Sequence, residues 1–137
     1  MIEIKELRAL RGPNRYTRHS VVFMVLDIKD YEERPSDTLD GFADRLLASI
    51  PSLQEHGCSI GKPGGFIERL QRGTWAGHII EHIAIELQCL AGMEVGYGKT
   101  FDTLKAGVYI VVFRYRVESV GLEVAQQAVA LFEAIVE

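Results

Sequence analysis

Cysteine is scarce: Cys58 and Cys89 are the only two in 137 residues. Two thiols build no disulfide framework, and these form no C-x-x-C pair, so the sequence reads as that of a protein of a reducing compartment, expected to be the cytoplasm. An excess of positive charge is also missing. Fifteen Lys and Arg stand against 19 Asp and Glu, a formal net charge of −4, which leaves no basic field to neutralise a run of phosphates; nucleic acid is not expected as a partner. The opening MIEIKELRALRGPN is charged throughout and has no apolar stretch followed by small residues, so it does not read as a secretory signal. No segment is expected to reach transmembrane length, and no membrane is expected as a partner. There is no internal repeat.

What the chain does have is enough apolar material, 47% of residues, for one domain over 1–137 that folds without disulfides or metals. Residues 2–10 alternate partially and close at Gly12-Pro13-Asn14, which predicts a strand. Residues 19–28, HSVVFMVLDI, form a β-branched and aromatic run that predicts a strand covered on both faces. Phe42, Leu46, Leu47 and Ile50 recur at helical spacing before Pro51. A loop rich in Gly and Pro leads to a short helix at 66–72, and a longer helix follows over 75–91, with Thr74 as its N-cap and Gly92 just past its end. Residues 108–117 predict a strand, and Val120, Val124, Val129, Leu131 and Ile135 mark a final helix. The expectation is an α+β domain, one mainly antiparallel sheet with helices packed on one face, in the order ββααβα with room for a further strand near Phe101.

The chemistry concentrates in the helix over 75–91. With His78 set at zero on a helical wheel, Ile79, Ile80, Ile83, Ala84, Leu87 and Leu90 span about 100° to 240° and mark the buried stripe. Glu81, His82 and Glu86 fall at about −60°, 40° and 80°, away from that stripe. His78 and His82 stand one turn apart, the spacing at which two imidazoles on one helix reach a common ion. Zinc is the natural candidate, with another divalent metal as the alternative. In the order H-x-x-E-H the acid directly precedes the second histidine, which puts a base, Glu81, beside the metal and points to amide hydrolysis. Ile85 and Cys89 edge this polar face with apolar groups, as in a covered cleft. The competing reading makes these residues solvent-facing histidines and an ordinary surface acid.

A catalytic zinc takes three protein ligands. Glu86 is too far along the helix to share an ion with His78 directly and is expected to support the ligands from behind. Glu118, where the last strand meets the last helix, is the leading candidate for third ligand, ahead of Glu123 and Glu68; its alternative role is to stabilise that helix's N-terminus. Gly98-Lys99-Thr100 resembles the end of a phosphate-binding loop, but Met93 occupies the required first glycine position and a helix, not a strand, precedes it. Arg8, Arg11, Arg15 and Arg18 make the early turn basic, either as solvated surface arginines or as bidentate partners of a carboxylate-rich ligand. Trp75, at the first helical turn, is expected to pack against the core, with stacking on a substrate guanidinium as the alternative.

ALRGPN at 9–14, ERPS at 33–36, PSL then EHGCS within 51–59, PGGFIERL at 63–70, GTWAGHIIEHIAIELQ at 73–88 and GVYIVVFRY at 107–115 occur in order. Together they resemble the amino-terminal domain of cyanophycin synthetases over nearly the whole chain. That resemblance implies binding of cyanophycin, a poly-aspartate bearing arginine on its side-chain carboxyls, and cutting of its backbone into short primers where the metal residues are present. It also implies the synthetase's ligase domains as partners. The ATP-grasp and Mur-ligase-like domains that carry out synthesis are absent from these 137 residues. The triplet is similar to that of pitrilysin-type inverted zincins, which implies His78 and His82 as ligands and Glu81 as base; those enzymes take a third Glu from a later helix. The competing function is a non-catalytic module that binds the polymer or docks on the ligase domains.

Overall fold

The run Val21–Asp27 is apolar on both faces because it is an interior strand with something packed against each side. In the computed structural model, which describes residues 1–57 and 62–137, four strands form one antiparallel sheet. They are β1 (Glu3–Leu10), β2 (Val21–Asp27), β3 (Gly98–Asp102) and β4 (Val108–Arg114), in the spatial order β1-β2-β4-β3. The register runs Leu10 opposite Val21, Val21 opposite Arg114 and Gly98 opposite Phe113, with an irregularity in β1 between Ile4 and Glu6. β1 and β3 are therefore the edges, and β3 is the strand foreseen near Phe101.

Alternation along β2 and β4 divides their side chains between two layers. Val22, Met24, Leu26, Val111 and Phe113 face the main core, while Val21, Phe23 and Val112 form a smaller cluster on the other face with Tyr16 and Tyr97. The four helices α1 (Phe42–Ser49), α2 (Gly65–Arg72), α3 (Ala76–Leu90) and α4 (Glu118–Val136) all send their buried apolar residues into the main core. The α+β class and the one-sided helical layer are as expected; the order is ββαααββα, since α2 is a full two turns and β3 pairs with β4. Phe42, Phe66, Phe113 and Phe132 are fully buried, each contributing about 1.5–3 kcal/mol by leaving water.

α4 is 19 residues long and, by length and composition, apolar enough to cross a membrane. The sequence reading missed this because Glu123 and Glu133 punctuate the run. Its Val124, Ala125, Ala128, Val129, Phe132 and Ile135 are buried in the main core, the behaviour of a core helix. Arg45 of α1 closes its end, donating from Nε to the carbonyl of Ile135 at 2.8 Å and from a terminal nitrogen to that of Val136 at 3.2 Å.

α3 departs from a simple amphipathic helix. Ile79, Ile80, Ile83 and Ala84 are buried as the wheel required, but Glu81, His82, Ile85 and Glu86 on the opposite arc are buried too. Leu90, assigned to the buried stripe, is 61% exposed because it lies in the last turn, beyond the sheet's cover. The helix ends as anticipated, with Gly92 in the left-handed region (φ +90°) and the N–H of Met93 donating to the carbonyl of Gln88 at 2.9 Å.

Candidate metal centre

Three elements cover the polar arc of α3. β3 crosses one side, and a close approach permits it: a Cβ on Gly98 would stand 2.7 Å from Ile85 Cδ1 and 2.8 Å from Glu81 Cγ and Oε2. The short 3-10 turn Pro51–Glu55 brings His56 to the other side. α2 contributes Phe66, whose ring stacks on the His82 imidazole at a centroid distance of 4.1 Å and an interplanar angle of 20°. Between these walls lies a cleft of about 620 Å³, lined among others by His56, His78, Glu81, His82, Glu86 and Lys99. Ile85 and Cys89 edge it, as the wheel foresaw. Cys58 of the segment EHGCS lies outside the described residues.

Ligand-type atoms of His78, Glu81 and His82 all lie within 4.8 Å of one another. Nε2 of His78 and Nε2 of His82 are 3.1 Å apart. Two nitrogens sharing a tetrahedral zinc at its usual bond length stand about 3.3 Å apart, close to the spacing of this pair. Glu81 Oε2 is 4.0 Å from His82 Nε2, wider than that edge and suited to a base beside the ion. Two imidazoles with a carboxylate beside them are donor types that zinc accepts.

Burial sets the charges. His78 is held down to about 4, first by desolvation and then by the nearby positive charge of Arg69. His82 lies lower still, through desolvation and its neighbours His78 and His56. Both are neutral at pH 7, the form in which imidazole binds a metal. Desolvation pushes Glu81 up to about 7, against the lowering effects of a hydrogen bond from Thr100 and the charge of Lys99. A carboxylate that takes up its proton near neutrality is matched to general-base work at that pH.

Hydrogen bonds run outward from both histidines. Thr74 Oγ1 lies 2.9 Å from His78 Nδ1. His82 Nδ1 lies 2.8 Å from His56 Nδ1, and His56 Nε2 lies 2.6 Å from Glu86 Oε1. Glu86 thus reaches His82 through His56. Thr74 is not the N-cap: Trp75 holds that position without a side-chain cap, and the threonine hydroxyl is directed to His78 instead. Trp75, expected to pack inward, is 42% exposed and donates its indole N–H to the carbonyl of Glu32 at 2.8 Å.

The structure does not bring Glu118 to the triplet. It opens α4 and accepts two bonds from Arg11, at 2.5 Å from Nε and 2.9 Å from a terminal nitrogen. That pairing, together with its place in the first turn, fits the helix-stabilising alternative. Among the described residues no acid from another element joins the group of His78, Glu81 and His82. Sequence reasoning gave His56, Thr74, Gly98 and Thr100 no role at this site. The only available signal was the Gly-Lys-Thr tripeptide, whose small glycine beside a hydroxyl serves contact with a carboxylate, not a phosphate.

Sheet and helices thus define an α+β domain with a largely buried histidine–carboxylate cluster on helix α3. Residues 23–137 match the family described as the cyanophycin synthase-like N-terminal domain, and the chain belongs to that family. It is 46% identical over 137 residues to a cyanophycin synthetase of Geminocystis herdmanii, covering 98% of this chain and 16% of the relative. It is 44% identical over 138 residues to one of Trichormus variabilis, covering 99% of this chain and 15% of that protein. The synthetase of Synechocystis sp. is 43% identical over 138 residues, with 99% and 16% covered. The chain therefore spans about one-sixth of the length of these relatives.

Proposed function

We propose that this domain is a metal-dependent hydrolase that cuts backbone amides of cyanophycin into short oligomers able to prime synthesis. In this reading it works in the cytoplasm beside the ligase domains of a synthetase. The observation that carries the proposal is the pair of neutral imidazoles with Nε2 atoms 3.1 Å apart and a buried carboxylate within 4.8 Å, facing an open cleft. His78 and His82 would hold the ion, zinc by preference. When bound, zinc supplies Lewis-acid activation of water and of the amide carbonyl.

The chain's own groups do the rest. Glu81 accepts a proton from the attacking water through Oε2, while Thr100 fixes Oε1 so that the free oxygen faces the histidines. The proton then passes to the departing amine, which would otherwise leave as a poor anionic group. Phe66, Ile85 and Cys89 keep the surroundings of this exchange apolar, so the charges meet with little competing solvent. Lys99 on the cleft wall offers a cation to a polymer that carries both signs of charge.

The test is release of soluble oligomers from purified cyanophycin by the wild-type chain with zinc, beside chelator-treated protein and a Glu81→Gln variant. Cleavage by the first alone is the expected result. Equal inactivity in all three, with polymer binding intact, would make the domain a binding module instead.

A further inference from the structure

His56 and Glu86 sit too far back to be ligands alongside His78 and His82, yet both are largely buried and tightly engaged. Side-chain exposures of 14% and 10% accompany the 2.6 Å contact from His56 Nε2 to Glu86 Oε1. The next contact, His56 Nδ1 to His82 Nδ1 at 2.8 Å, joins two ring nitrogens. One of those two must carry a hydrogen and the other a lone pair, because two lone pairs or two N–H groups would repel.

Which nitrogen carries it follows from the far end of the chain. A carboxylate only accepts, so His56 Nε2 is the N–H that donates to Glu86. A neutral His56 then has a bare Nδ1, which accepts from His82 Nδ1–H. Neutral His82 is left with its lone pair on Nε2, the atom facing His78 Nε2 and the cleft. Three groups on two separate segments thus select a single tautomer at one ligand. By the same rule His78 Nε2, 3.1 Å from that lone pair, carries its hydrogen in the metal-free chain, and its Nδ1 accepts from the Thr74 hydroxyl.

On this basis, and resting on the metal-centre reading above, we infer that Glu86 and His56 are positioning residues. They form a carboxylate–imidazole relay that presets His82 as an Nε2 ligand. The hydrogen bond from His82 to His56, backed by the Glu86 charge, also raises the electron density that His82 offers an ion. Phe66 stacked on the His82 ring fixes its plane, so the relay acts on a ring that cannot turn away.

The experiment uses the 137-residue chain, ¹⁵N-labelled at histidine. In the metal-free wild type, long-range ¹⁵N–¹H correlations at pH 7 should report His82 protonated at Nδ1 and His56 at Nε2. Zinc affinity, measured by competition with a chromogenic chelator, should fall roughly 10–100-fold in His56→Ala and in the near-isosteric Glu86→Gln. Glu86→Gln should also broaden His82 into a mixture of tautomers, a change that a merely structural acid would not cause. His82 protonated at Nε2 in the wild type, or unchanged affinity in a folded Glu86→Gln, would overturn the relay. Absence of zinc binding by the wild type itself would instead overturn the metal centre, while the tautomer readings would still judge the relay on their own.

Discussion

Thr100 donates its hydroxyl to Glu81 Oε1 at 2.7 Å, across the gap between the edge strand β3 and helix α3. The bond stabilises the charged form of a carboxylate that burial otherwise drives towards protonation. Thr100→Val keeps the shape and removes the donor, so Glu81 should titrate higher. The acid limb of the pH–rate profile for oligomer release should move to higher pH, and the rate at pH 7 should fall several-fold. An unmoved limb would separate Glu81 from the rate-controlling ionisation.

Glu81 could act as base or as ligand, and the two roles separate cleanly in a Glu81→Gln variant. As a base it should lose roughly 10²–10⁴ in rate while zinc affinity stays within about three-fold, since the 4.0 Å spacing from His82 Nε2 exceeds a ligand–ligand edge. The measurement is zinc competition and cleavage on the same preparation. A loss of affinity in proportion to rate would make the carboxylate a ligand.

Gly98 permits the contact on which Glu81 depends. A methyl group there would stand 2.8 Å from both Cγ and Oε2 of Glu81 and 2.7 Å from Ile85, so Gly98→Ala must push β3 or the carboxylate aside. Overpacking of this kind costs about 1–3 kcal/mol. Activity should drop further than stability, because the displaced atom is the one facing the histidines. Thermal melts beside oligomer release would show the split.

Local pattern carried much of the fold and half of the site. The unbroken apolar run at Val21–Asp27, the 3.6-residue spacing from Ile79 to Leu87 and the glycine after α3 each reflect contacts within or just beside one segment. The H-x-x-E-H triplet was legible for the same reason, since two residues one turn apart meet whatever the tertiary fold. His56 was not legible: it reaches His82 across 26 residues from a turn with no periodicity. Thr100 reaches Glu81 across 19, and only strand pairing with β4 puts it there. Placing Glu118 needs the same long-range information, and topology gives it to Arg11, 107 residues away.

Glu118→Gln should therefore leave zinc affinity and cleavage unchanged. The ion pair it would break is solvent-exposed, with Arg11 78% accessible, and such pairs add little stability. The check is zinc competition beside wild type; a ten-fold loss of affinity would return Glu118 to the metal.

Without metal, stability should depend on pH through three groups of the cluster, with opposing signs. His78 and His82 titrate lower in the fold than in the unfolded chain, where histidine sits near 6.5, so their contribution is present above that value and is lost as pH falls through it. Glu81 is raised from 4.5 to about 7, so its contribution is complete below 4.5 and is lost as pH rises towards 7. Between 4.5 and 6.5 two histidine protons taken up by the unfolded chain outweigh one glutamate proton held by the fold, and stability rises with pH. Above 6.5 only the glutamate still titrates, and this contribution turns downward. The metal-free protein should thus be most stable near pH 6.5 in urea titrations. Glu81→Gln should remove the decline above that value, raising stability at pH 8 by on the order of 2 kcal/mol, and should steepen the fall on the acid side. A wild-type curve flat from pH 5 to 8 would show that the cluster is hydrated enough to keep ordinary ionisation.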